Sequence, residues 1–115
     1  MLSKSQRLNL KNDFKFVRSG TRKETPNLIL FIRTSTNSTP LVGIANSAKV
    51  FKKAHDRNRA RRLAVTAIQK IYPNLSKSLN LVIMPKENIL KATVEDVERE
   101  LSGALGESKL AQSNL

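Results

Sequence analysis

The sequence has no cysteine and no tryptophan, a single histidine (His55), and only four glycines and four prolines in 115 residues. Without cysteine there is no disulfide framework, no thiolate zinc site and no cysteine nucleophile. One histidine cannot supply a histidine-rich metal site. Long apolar runs are missing as well. The longest, Leu28 to Ile32, falls far short of the ~20 residues that span a bilayer. The opening MLSKSQRLNLK has no apolar stretch of signal-peptide length, so a cytoplasmic protein that enters no membrane is expected. Acid is scarce over most of the chain: residues 1–86 hold 18 Lys or Arg and only Asp13, Glu24 and Asp56.

Positive charge is therefore the dominant feature. The formal net charge is +12, made of +15 over residues 1–86 and −3 over residues 87–115. A chain of this length buries about two-thirds of its unfolded surface, which suits one domain with one core. Residues 1–106 are expected to form that domain, and the polar tail ESKLAQSNL at 107–115 to fray. So much like charge opposes compaction unless the resident partner is a polyanion. Nucleic acid is the leading candidate and an anionic membrane surface the weaker one.

The elements alternate. Leu8, Leu10, Phe14 and Val17 recur at near-helical spacing before Gly20, predicting a helix from about Lys4 to Arg18. Leu28 to Ile32 reads as a buried strand, Leu41 to Ala45 as a second, and Thr21 to Thr25 as a brief, weak one. Lys52 to Tyr72 reads as the longest helix, ended by Pro73, and Leu79 to Met84 as another strand. Thr93 and Asp96 stand at capping-box spacing before a last helix with the inner stripe Val94, Val97, Leu101 and Leu105.

The long helix carries the chemistry. Ala60, Leu63, Ala64, Ala67, Ile68 and Ile71 form its core stripe. Asn58, Arg59, Arg61 and Arg62 project around the remaining arc, and Arg57 falls at the stripe's edge with its stem along the core. Arg57 and Arg61 are like charges at i,i+4, Arg59 and Arg62 at i,i+3, each costing roughly 0.2–0.5 kcal/mol. The macrodipole also disfavours cations at this end, and only Asp56 offsets them locally. Bound phosphates would reverse these penalties, and the planar guanidinium grips phosphate oxygens in pairs.

The other polar groups form no catalytic set. His55 beside Asp56 reads as a helix start rather than a dyad, and Glu95, Asp96, Glu98 and Glu100 as a solvated acidic face. The hydroxyls of TSTNST read as a loop. A stand-alone nuclease would need clustered carboxylates or a histidine pair, and no helix-turn-helix spacing precedes the basic helix for duplex DNA. Phe14 and Phe16 lie two apart and cannot share a helix face, so one of them is expected outside the core. Phe31, in mid-strand, points opposite to Leu30 and Ile32 and so toward Phe14 if those two face the core helices.

Lys52–Lys53–Ala54–His55–Asp56–Arg57–Asn58–Arg59–Ala60–Arg61–Arg62–Leu63 resembles the signature of the bacterial ribonuclease P protein subunit, an Arg-Asn-Arg triplet near the start of a long helix. Asp13–Phe14, Val17 and Gly20, and the strands at Leu28–Ile32, at Gly43 and at Leu81–Met84, follow that family's order over about residues 6–105. The resemblance implies an α+β fold, a single-domain α/β sandwich of order αβββαβα with a left-handed βαβ crossover, as in a ribosomal-protein domain. It implies that Lys49, Lys52, Lys53, Arg57, Asn58, Arg59, Arg61 and Arg62 contact the catalytic RNA. It also implies that Phe14, Arg18 and Phe31 belong to a cleft for the single-stranded 5′ leader of precursor tRNA. The protein alone would bind no cofactor and hydrolyse nothing; the RNA, with Mg2+ in the holoenzyme, would cut the phosphodiester. A structural ribosomal or other basic RNA-binding protein is the alternative.

Overall fold

The computed structural model describes residues 2–106, so the tail beyond them lies outside the described residues. The chain runs α1 (Leu10–Arg18), β1 (Thr21–Glu24), β2 (Leu28–Thr34), β3 (Leu41–Ile44), α2 (Ala54–Ile71), β4 (Leu79–Pro85) and α3 (Val94–Gly106). Short 3₁₀ turns at Lys4–Gln6, Tyr72–Asn74 and Glu87–Lys91 join these. The order is the αβββαβα expected. One sheet of order β1-β2-β4-β3 holds the domain, antiparallel except for the parallel β3–β4 pair that α2 connects.

The two-residue period of the strands splits the apolar residues between two layers. Leu28, Leu30, Ile32, Val42, Ile44, Leu79, Leu81 and Ile83 face α2 and α3 and form the main core with Ala60, Ala64, Ala67, Ile68, Val97, Leu101 and Leu105. On the other face Phe31 and Val82 pack with Leu8 and Val17 beneath α1. Val65 is buried too, so the inner stripe of α2 is wider than its sequence periodicity indicates.

The first helix is shorter than the spacing predicts. Asn9 caps it, its side chain accepting from the Asn12 amide at 3.4 Å, and helix begins only at Leu10. Residues 7–8 are drawn into the sheet instead: Arg7 bridges Val42, and the Leu8 amide donates to the Val42 carbonyl at 2.9 Å. That pairing covers the β3 edge, which would otherwise expose unpaired backbone groups. Periodicity cannot show this, because Leu8 is buried equally well by either conformation.

The weak strand at Thr21 forms as the far sheet edge. Glu24 on it meets Lys86 at 2.7 Å and Arg22 at 3.1 Å, and Lys86 first, then Arg22, holds its carboxyl below the usual carboxylate range. At α3 the capping box is reciprocal: the Thr93 amide donates to Asp96 and the Asp96 amide to the Thr93 hydroxyl, both at 3.1 Å. The Thr93 amide first, then its side chain, holds the Asp96 carboxyl low.

The acidic face of α3 is less free than its composition suggests. Glu98 pairs with Lys70 at 3.8 Å. Glu100 accepts from the Asn27 amide at 2.9 Å and from the Asn27 side chain, and so ties the β1–β2 turn to α3.

Close approach fixes Gly20, just after α1. A Cβ there would overlap the Ile32 carbonyl oxygen and lie 2.8 Å from the Arg33 Cβ. Neither obstacle can swing aside, so Gly20→Ala is expected to cost about 1–3 kcal/mol, as overpacking does. Thermal melting checks it; an unchanged melting temperature would mean that the turn shifts freely. At Gly43 the obstacle is the movable Leu10 Cδ2 at 2.7 Å, so alanine there should cost less.

Candidate nucleic-acid interface

The start of α2 is built without a side-chain cap on Lys53. Arg57 instead ties the segment before the helix to its first turn. Its Nη1 donates to the Phe51 carbonyl at 2.7 Å and to the Lys52 carbonyl at 3.4 Å. From the other side the Asn46 side-chain amide donates to the Arg57 carbonyl at 2.9 Å, while the Asn46 Oδ1 stays buried without a hydrogen-bond partner. Phe51 is fully buried and anchors the same segment. Half-buried Arg57 is thus committed to the backbone, and what it positions is the stretch carrying Lys49, Lys52 and Lys53, all exposed.

Asn58, Arg59, Arg61 and Arg62 are exposed along the next turns. None of Lys49, Lys52, Lys53, Arg59, Arg61 or Arg62 has an ion-pair partner among the described residues. Arg61 borders a hollow of about 230 Å3 that it shares with Arg7, while Lys49, Lys52 and Lys53 edge another of about 330 Å3. The result is a group of unneutralised cations on the first turns of α2 and on the segment that leads into it. His55 lies 3.4 Å from Asp56 with its side chain 82% exposed, a helix-start contact open to water.

The second feature is the open half of the α1 face of the sheet. Phe14 and Phe31 stand with ring centroids 6.5 Å apart and planes tilted by 58°. Phe31 is only 8% exposed, so Phe14, half-buried, presents the available ring face. Phe16 is the phenylalanine left outside the core: it is 39% exposed, with the Arg33 guanidinium 4.2 Å above its ring. Phe16 lies about 200° around α1 from Phe14, so Phe14 points away from it, into the layer that also holds half-buried Ile29, Met84 and Ala45. Arg18 is exposed at the end of α1, on the Phe14 side.

Ile29 and Arg33 lie on the Phe31 face of β2 by the two-residue period. Met84, opposite Ile29, and Ala45 were not legible as neighbours of the cleft, since strand register decides both.

The two features meet. The Ala45 amide donates to the Ile83 carbonyl at 2.9 Å, and the next residue, Asn46, holds the Arg57 carbonyl. The basic start of α2 therefore stands at the Ala45–Met84–Ile29 end of the aromatic cleft. Among the described residues no three His, Cys, Asp or Glu side chains gather to hold a metal, and Glu24, Asp96, Glu98 and Glu100 are bonded within the fold. No helix among the described residues is long and apolar enough to cross a membrane.

Unneutralised arginines beside an aromatic-floored cleft, on a small α+β sandwich, make a surface of the nucleic-acid-binding class. The particular family follows from comparison with known proteins. Residues 2–109 match the family described as Ribonuclease P. The ribonuclease P protein component of Legionella pneumophila (strain Corby) is 39% identical over 97 residues, covering 74% of this chain and 85% of that one. That of Rippkaea orientalis is 32% identical over 115 residues, covering 95% and 91%.

Among solved structures, the RNase P protein from Thermotoga maritima aligns with a TM-score of 0.77 at 21% identity over 90% of this chain and 97% of that one. The RNase P protein of Staphylococcus aureus aligns with a TM-score of 0.76 at 15% identity, over 91% and 96%. These two likenesses establish the fold. The chain belongs to the bacterial ribonuclease P protein family. It is the protein subunit of an RNA-containing endoribonuclease of tRNA processing, and the ribonuclease P RNA is its partner.

Proposed function

We propose that the chain clamps precursor tRNA onto the catalytic RNA by using its two surfaces at once. The exposed face of α2, Asn58, Arg59, Arg61 and Arg62, with Lys49, Lys52 and Lys53 beside it, grips phosphates of the catalytic RNA, and Arg57 holds that segment in place. The 5′ leader, unpaired where it leaves the tRNA, lies in the cleft between α1 and the sheet, stacked on Phe14 with Phe31 behind it and Arg18 at the rim. The observation that carries this reading is the Asn46–Arg57 hydrogen bond, which joins the end of the cleft to the start of the basic helix. A strand held in the cleft is thereby delivered to whatever RNA the helix binds.

Hydrolysis falls to the RNA in this reading. Glu24, Asp96, Glu98 and Glu100 are engaged by lysine, arginine, asparagine and backbone groups, and the carboxylates of the described residues nowhere gather in threes as an oxygen cage for Mg2+ would need. The magnesium ions belong to the RNA of the holoenzyme, where they would supply Lewis acidity and an activated water. The protein supplies position and charge neutralisation. The site of action is the cytoplasm.

The test compares the holoenzyme's affinity for precursor tRNA with that for mature tRNA, with and without the chain. The chain should tighten the precursor by at least tenfold more than the mature tRNA. Equal tightening of both would remove the leader from the cleft.

A further inference from the structure

The outer side of α1 carries a second set of cations that the α2 group does not include. At 100° per residue, Arg18, Lys11 and Lys15 follow Phe14 around the helix at about 40°, 60° and 100°. They lie on the side away from both the buried Val17 and the Phe16–Arg33 stack. All three are exposed, and none has an ion-pair partner among the described residues. The spacing i, i+4, i+7 makes them neighbours along one line.

The helix dipole explains Lys15 and Arg18, which sit in the last turn. It does not explain Lys11, which stands in the first turn, where a cation is disfavoured and lengthens a row of like charges. A row that helix electrostatics opposes at one end, alongside an aromatic ring open to a cleft, is the pattern of a groove that tracks a nucleic-acid backbone while bases stack beside it.

We propose that Lys11, Lys15 and Arg18 form a rail for the sugar-phosphate backbone of the precursor leader, independent of its sequence, while the bases turn inward to Phe14. This rests on the leader occupying the cleft, as proposed above. Direction follows from the fold. α1 begins over Gly43 of β3 and ends beside Ile32 of β2, so the rail leads away from the β3 side, where the basic start of α2 stands, and toward the β1 edge. Leader nucleotides nearest the catalytic RNA meet Lys11, and those farther upstream meet Lys15 and Arg18.

The test uses holoenzyme assembled from the cognate catalytic RNA and the full chain. Three substrates are compared: precursor tRNA with an ordinary leader, the same precursor with neutral methylphosphonate linkages in the leader, and mature tRNA. Lys11→Gln/Lys15→Gln/Arg18→Gln should weaken binding of the ordinary precursor by about tenfold near 0.1 M salt. It should also reduce the slope of log K against log[salt] by about 2, at ~0.7 per contact with a single strand.

The variant and the parent should bind the methylphosphonate precursor equally, and mature tRNA equally. If the triple variant melts early, Lys15→Gln alone decides, with an expected slope change of about 0.7. An unchanged slope on the ordinary leader overturns the rail, and so does an equal loss on the neutral one. Phe14→Ala run in parallel separates the two ideas. If it loses leader-dependent affinity while the cation variants keep the parent's slope, the cleft stands and the rail falls. If only the cation variants lose it, the rail stands and Phe14 is not the ring on which the leader bases stack.

Discussion

Replacing Arg59, Arg61 and Arg62 together with Gln is expected to reduce the slope of log K against log[salt] for binding the catalytic RNA by about 2–3, at ~0.7–0.9 per phosphate contact. Three such contacts amount to a loss of one to several orders of magnitude in affinity near physiological salt. The fold should survive, since all three side chains are exposed and the buried stripe of α2 is untouched. Titrations of the catalytic RNA across a salt series check this, and a parent-like slope would take α2 out of the interface. Arg57→Gln behaves differently. It deprives the Phe51 and Lys52 carbonyls of a charged donor, so it should lower the melting temperature as well as the affinity.

The second large effect divides the two phenylalanines of the cleft. Phe31 is packed with Val17, Val82 and Leu8, so Phe31→Ala removes a ring from a close-packed layer and should cost about 3–5 kcal/mol of stability. Phe14 is half-exposed on the same layer. Phe14→Ala should cost less stability, and it should weaken the holoenzyme's hold on precursor tRNA by the ~1–3 kcal/mol that one stacked base contributes. Mature tRNA, which has no leader, should bind as before. Melting curves beside the two tRNA affinities decide the matter. A leader-specific loss from Phe31→Ala, with Phe14→Ala silent, would exchange the roles assigned to the two rings.

The period of 3.6 in Ala60–Ile71 announced the buried face of α2, and the unbroken apolar run Leu28–Ile32 announced a strand covered on both faces. Charge at i,i+3 and i,i+4 marked α2 as the basic element before any fold was known. Long-range bonds were not legible. Nothing near Arg57 in sequence says that its guanidinium turns back onto the Phe51 carbonyl, or that Asn46, eleven residues away, holds its own carbonyl. Glu100 looked like one of four solvated acids because its partner, Asn27, lies 73 residues off. Leu8 satisfied a helical spacing and yet joined the sheet, since a backbone donor beside the β3 edge outweighs one more turn of helix. Local pattern sets which side chains are buried; register sets which polar groups meet, and only the assembled sheet fixes register.

The most direct measurement is cleavage of precursor tRNA by the cognate catalytic RNA at low magnesium, run with RNA alone, with the chain alone, and with both. Cleavage at the mature 5′ end should appear only with both. The chain alone should release no leader at any magnesium concentration. Cleavage that persists after every trace of catalytic RNA has been removed, or RNA cleavage that the chain leaves unchanged, would contradict the account.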